Sequence, residues 1–218
     1  MLTVQARLSI VDLAGLEGAA ATSDPFPLFH GQGAVRPEMV ARLHAEFPHL
    51  DVVGFLTVKA DELTGVYRQL LEELESPEVT EAVSRKLGKD LHPYPRLTQI
   101  MKHSHKRYGR IHTDGEAKIA TMLLYLNEAW PKDGEGQIRA FRSNKGFSDY
   151  AVEVPPLMGN VFGFLRGEKS WHGHTPFEGE RRAIQLTWVQ SEHDVERKHD
   201  RNRTAQFLKR IFERRKAD

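Results

Sequence analysis

The chain has 218 residues, 39% of them hydrophobic and 28% charged, with a formal net charge of +1. These values suit one globular domain and give no reason to expect nucleic acid or a membrane as a partner. There is no cysteine, which excludes disulfides and thiolate metal sites and leaves His and carboxylate as the available metal ligands. No apolar run approaches the roughly 20 residues needed to span a bilayer, and the first seven residues lack the layout of a secretion signal, so the expected location is cytoplasmic.

In chain order, Pro37 suits a first helical turn, and Met39, Val40, Leu43 and Phe47 follow at helical spacing. A second helix is expected over 61–74, where Leu63, Val66, Tyr67, Leu70, Leu71 and Leu74 draw one apolar stripe. A third is expected over 77–87, with Ser76 as N-cap and Gly88 closing it. Beyond residue 95 the pattern changes to short β-type runs at 97–103, 119–126, 137–141, 150–154, 160–165 and 182–189, separated by Gly, Pro and Asn turns. No internal repeat is visible. The expectation is a single domain over 1–218. Residues 1–94 form mostly helical support, 95–190 an antiparallel sandwich or barrel of jelly-roll type, and 191–218 a C-terminal amphipathic helix with Phe207, Leu208, Ile211 and Phe212 on its apolar face. The basic clusters at 102–110 and 197–216 are read as solvated charge rather than as a nucleic-acid contact.

His112-Thr113-Asp114 places two metal-capable side chains two apart, which in an extended segment puts both on one face. A third ligand would complete the two-His, one-carboxylate face that leaves open positions on Fe(II). His172 and His174 are both candidates. His103 and His105 have the same spacing but lie among Lys102, Lys106 and Arg107, whose charge opposes a cation. They are read as surface or rim residues.

A carboxylate bound deep in a cavity needs a buried cation, and the planar fork of Arg suits it. Alternation puts Arg182, Ile184, Leu186 and Trp188 on one face, expected to pack against helices, and Arg181, Ala183, Gln185 and Thr187 on the other. Arg181 is therefore the expected anchor. The same alternation puts Tyr125 with Leu123 and Thr121, where its hydroxyl can serve the same carboxylate or simply pack.

In these residues the chain resembles the prolyl-hydroxylase-like branch of the 2-oxoglutarate/Fe(II) dioxygenases, whose catalytic domain is a double-stranded β-helix. The resemblance covers roughly 95–190. His112-Thr113-Asp114 resembles the family's His-x-Asp, His172 its distal histidine, and Arg181, nine residues on (172 to 181), its downstream arginine. Tyr125-Leu126-Asn127 with Trp130 resembles the family's Tyr-Leu-Asn segment. Residues 137–141 resemble its next strand, and Arg181-Arg182-Ala183-Ile184 its co-substrate-binding strand. The resemblance implies iron held by His112, Asp114 and His172, and 2-oxoglutarate held by Arg181 and Tyr125. It also implies O2 as co-reactant, succinate and CO2 as products, and ascorbate as an accessory reductant. His174 is left beside the ligands or on the substrate side.

In related halogenases the carboxylate position is a small residue, so Asp114 implies hydroxylation or another oxygenase outcome. The first ninety residues and the tail do not match the animal enzymes and look more like a bacterial branch. Substrate contacts are expected from loops 115–118 and 142–150, with Arg110, Arg142 and Lys145 either meeting an acidic substrate group or solvated. The expected substrate is a small molecule, sugar or amino acid. The alternatives are a protein prolyl or asparaginyl side chain, a non-catalytic metal-binding jelly roll, and a hydrolytic zinc site.

Overall fold

The computed structural model describes residues 8–50, 52–130 and 134–200. Its elements run α1 (Leu13–Gly18), β1 (Ala20–Thr22), β2 (Leu28–Gly31), α2 (Pro37–Ala45), β3 (Leu56–Thr57), a 3-10 turn (Ala60–Glu62), α3 (Gly65–Leu74) and α4 (Pro77–Leu87). There follow β4 (Arg96–Ser104), β5 (Lys118–Tyr125), β6 (Ile138–Phe141), β7 (Tyr150–Val154), β8 (Val161–Leu165), β9 (His172–Gly173) and β10 (Gly179–Val189). Every strand-to-strand pairing is antiparallel. One sheet has the order β1-β2-β8-β5-β10-β4-β3, and a smaller one the order β7-β6-β9. The arrangement is the jelly roll that the strand pattern predicts.

Two apolar clusters follow from the two-residue alternation of the central strands. Ala120, Met122, Leu124, Ile184, Leu186 and Trp188 face outward and bury the apolar stripes of α3 and α4, with Val66, Leu70, Val79 and Val83 among the contacts. Leu123, Tyr125, Ala183, Phe162 and Phe164 face inward toward Ile138 and Ala140 of the small sheet. The outward half is a continuous apolar core. The inward half is incomplete at one end, and there the cavity opens.

The helices at 37–45 and 77–87 form where expected. Ser76 Oγ accepts from the Val79 amide, and Gly88 takes the left-handed conformation (φ 65°) that ends α4. The second helix differs. It begins at Gly65 rather than at Asp61, because the Glu62 carboxylate accepts from the Lys59 amide at 2.8 Å and closes a separate 3-10 turn, after which Leu63 and Thr64 are extended.

The N-terminal part, expected to be mostly helical support, also contributes strands. It supplies β1, β2 and β3, and β2 joins β8 while β3 joins β4, so it widens the large sheet at both edges. These strands are two to four residues long, too short to show an alternation of their own. Residues 192–200 are helical, and the rest of the expected C-terminal helix, with its Phe207, Leu208, Ile211 and Phe212, lies outside the described residues. Among the described residues no helix is long and apolar enough to cross a membrane.

Candidate metal centre and co-substrate cavity

His112 and His172 meet through a two-residue antiparallel bridge. The His112 amide donates to the His172 carbonyl at 3.0 Å and the His172 amide to the His112 carbonyl at 2.9 Å. Gly173 permits this approach, since a Cβ there would lie 2.5 Å from the Arg110 carbonyl oxygen. The rings stand 4.3 Å apart, and Phe164 packs on His172 at the same distance.

Each imidazole is oriented by its own backbone. His112 Nδ1 lies 2.8 Å from the Arg110 carbonyl and His172 Nδ1 2.9 Å from the Ser170 carbonyl. A carbonyl only accepts, so both Nδ1 atoms carry a proton, and Nε2 is the nitrogen of each ring left to ligate a metal. Burial is the main influence holding His172 down to about 4, against the raising effect of Asp114, so it is neutral at pH 7, the form that ligates a metal.

Asp114 is 7% exposed. Its Oδ2 accepts from Thr121 Oγ1 at 2.7 Å and its Oδ1 from Lys118 Nζ at 2.8 Å. Burial alone would raise the carboxyl; the charges of Lys118 and His172 and the two hydrogen bonds outweigh it and hold it at about 2. Oδ1 is also 4.0 Å from His172 Nε2. One ligand atom from each of His112, Asp114 and His172 lies within 4.8 Å of the others. This is a compact two-nitrogen, one-oxygen face, a donor set suited to Fe(II).

His174 is not part of that group. Its Nδ1 donates to the Thr175 carbonyl at 2.8 Å. Burial, with the charge of Arg181, holds it down to about 3. Its ring packs against Gly109, where a Cβ would come within 2.4 Å of it. Two residues from His172 in sequence, it lines the same cavity from beside the cluster.

The cavity has a volume of about 390 Å3. Arg181 lines it, 2% exposed, with Nε donating to the Gly136 carbonyl at 2.8 Å and Nη2 to the Tyr125 hydroxyl at 3.0 Å. Tyr125 is fully buried behind it and fixes the guanidinium; it does not itself line the cavity. Arg182 points the other way, onto the Phe47 ring and the His44 carbonyl on the helical side. The strand alternation thus separates the two arginines as expected. Asn127 is structural: its Oδ1 accepts from the Arg182 amide and its side-chain nitrogen donates to the Pro156 carbonyl.

Among the other expected contacts, Lys118 of loop 115–118 lines the cavity, but Arg110, Arg142 and Lys145 do not. Arg142 pairs with Asp24 at 2.9 Å on the surface. His103 and His105 do not line it either. Two residues that sequence reasoning passed over do: Gln99 on β4 and Gln185 on β10, hydrogen-bonded to each other at 3.0 Å. Gln185 shares a face with Arg181 in the alternation, a signal that was present but not used.

A jelly roll in which a His-Asp-His face and a buried arginine line one cavity has the parts that a metal-dependent oxygenase with an acidic co-substrate needs. Residues 98–190 match the sequence profile of the 2OG-Fe(II) oxygenase superfamily, and this segment contains His112, Asp114, Tyr125, His172 and Arg181. Over that segment, less than half of the chain, the protein is similar to this superfamily, and it is a 2-oxoglutarate-dependent dioxygenase whose cofactors are Fe(II) and 2-oxoglutarate.

The fold is similar to that of a Pseudomonas putida prolyl-4-hydroxylase, with TM-score 0.60, 19% identity, and 85% of this chain and 97% of that chain covered. It is similar also to a prolyl 4-hydroxylase from Phytophthora capsici (TM-score 0.56, 19% identity, coverage 88% and 70%). A truncated viral collagen prolyl hydroxylase from Paramecium Bursaria Chlorella virus-1 gives 0.51, with 14% identity and coverage of 79% and 93%. No curated protein matches the sequence significantly.

Proposed function

We propose that the protein hydroxylates a small organic molecule, with His112, Asp114 and His172 holding iron and Arg181 binding the distal carboxylate of 2-oxoglutarate. The observation that carries this reading is the cavity itself. It joins the three convergent ligand atoms to a buried guanidinium whose Nε and Nη2 are committed to protein acceptors while Nη1 makes no hydrogen bond to the described residues. A simple metal binder or a hydrolytic zinc site has no use for that arginine. Iron with 2-oxoglutarate supplies the oxidising chemistry.

The protein's own residues prepare the site. The Arg110 and Ser170 carbonyls fix the tautomer of both histidines. Thr121 orients the carboxylate of Asp114 through its hydroxyl. Tyr125 and the Gly136 carbonyl lock the arginine fork before co-substrate arrives, which reduces the ordering cost of binding. Phe164, Leu123 and Ile138 make the wall apolar and exclude water from the reacting face.

A small substrate is favoured over a protein side chain by the volume of about 390 Å3, within the usual range of roughly 300–1,000 Å3 for ligand pockets. Lys198, on the helix at 192–200, also lines the cavity and brings that helix to its wall. The prolyl hydroxylases named above motivate the second reading, hydroxylation of a peptidyl proline. The reaction class is tested by succinate formation from 2-oxoglutarate by anaerobically Fe(II)-loaded protein on admission of oxygen. Turnover is expected in the wild type and lost in Asp114→Ala. Equal turnover in both would refute the ligand assignment.

A further inference from the structure

The register of β5 against β10 contains an irregularity that changes which residue meets the cavity. Thr121 pairs Thr187 and Ala120 pairs Trp188, but Val189 pairs Lys118 rather than Ile119. The extra residue is a bulge. Ile119 and Ala120 both pack on the helical side, so the next side chain, Lys118, is delivered to the cavity side, where strict alternation from Thr121 would not put it. Bulges beside active sites commonly re-aim a side chain in this way.

Lys118 arrives as a largely buried cation, with its side chain 19% exposed, and its ammonium donates to Asp114 Oδ1, the oxygen that faces His172. A divalent cation held by Asp114 repels an ammonium at that oxygen, so a metal-loaded site leaves Lys118 in need of another anion. The rest of the cavity offers none. Among the described residues that line it, Asp114 is the sole acid, against Lys118 and Arg181. A divalent metal and a dianionic co-substrate cancel each other and leave an excess of positive charge in a partly desolvated space, where unpaired charge is costly.

Position separates this cation from the co-substrate anchor. Along β5, Tyr125 behind Arg181 lies four residues beyond Thr121, which holds Asp114, and Lys118 lies three before it. At about 3.3 Å per residue, the backbone positions of Tyr125 and Lys118 lie roughly 13 Å and at most about 10 Å from Thr121 in opposite directions along the strand, and the Lys118 ammonium reaches back from its end to Asp114 Oδ1. A ligand on Lys118 therefore does not compete with one on Arg181. The Gln99–Gln185 pair adds neutral hydrogen-bonding groups to the wall between.

Resting on the assignment of iron and 2-oxoglutarate above, we propose that Lys118 is the substrate-recognition residue and that the substrate carries a carboxylate. The test uses Mn(II)-loaded protein saturated with 2-oxoglutarate, with propionate and its neutral isostere propionamide as probes and thermal unfolding as readout. Propionate is expected to raise the unfolding midpoint with saturation, and propionamide is not. Lys118→Met is expected to weaken the propionate response at least about tenfold, the scale of one charge-assisted hydrogen bond. Lys118→Arg is expected to retain it. Mn(II) is expected to bind Lys118→Met at least as tightly as wild type, because a competing cation has gone; a purely structural role predicts weaker metal binding.

Equal responses to the two probes, or a Lys118→Met protein that responds to propionate like wild type, would overturn the proposal. So would loss of Mn(II) binding in Lys118→Met. Failure of 2-oxoglutarate to bind the Mn(II)-loaded wild type would overturn the metal and co-substrate assignment, and this proposal with it.

Discussion

Arg181→Met is the most discriminating single change. In the wild type the guanidinium is 2% exposed and held by the Gly136 carbonyl and the Tyr125 hydroxyl. Methionine fills much of the volume and brings no donor. A carboxylate bound there loses its charge-assisted pair, and breaking a buried pair from one side costs about 3–5 kcal/mol, roughly 150- to 4,000-fold in affinity at about 1.4 kcal/mol per decade. The fold suffers less. Two acceptors each lose one hydrogen bond, of order 1 kcal/mol apiece, while a buried charge and its desolvation penalty go with them. Titration calorimetry of 2-oxoglutarate into Mn(II)-loaded protein reads the affinity, and Mn(II) binding in the same variant serves as the control. Metal affinity is expected to stay within about threefold of wild type, the scale of a surface substitution. If 2-oxoglutarate binding also stays within that margin, the anchor lies elsewhere.

His172→Ala is expected to abolish stoichiometric Fe(II) loading while His174→Ala preserves it, because only His172 has an atom in the ligand cluster; metal analysis after anaerobic desalting decides, and the reverse pattern would move the ligand role to His174. Gly109→Ala forces a Cβ to within 2.4 Å of the His174 ring at φ 91°, so the unfolding midpoint is expected to fall, and an unchanged midpoint would contradict the packing described. Leu70→Ala opens a hole between α3 and the large sheet at a fully buried position and should cost about 2–5 kcal/mol by urea titration; a loss under 1 kcal/mol would speak against that interface. Saturating metal at about a hundredfold over its Kd should add roughly 2.7 kcal/mol, and a chelator should remove it.

Much of the site was legible because it depends on local periodicity. The two-residue spacing of His112 and Asp114 and the alternation that divides Arg181 from Arg182 are properties of any extended strand. So is the shared face of Tyr125 and Thr121, and the helical stripes at 37–45, 65–74 and 77–87 follow the 3.6-residue period as directly. What these patterns cannot carry is pairing between distant segments. The strands β2 and β3 exist because β8 and β4 offer them hydrogen-bond partners, β1 because β2 does, and β9 because it meets β6.

The choice between His172 and His174 also needed the third dimension. Gly173 lets the chain approach residue 110 and seats His172 against His112, while His174 turns its ring onto Gly109. Residue type and spacing thus singled out His112, Asp114 and the pair His172 and His174 as candidate ligands, and Arg181 as the candidate anchor. Which histidine joins the cluster, and the bulge that turns Lys118 toward the metal face, were decided only when separate strands were brought into register.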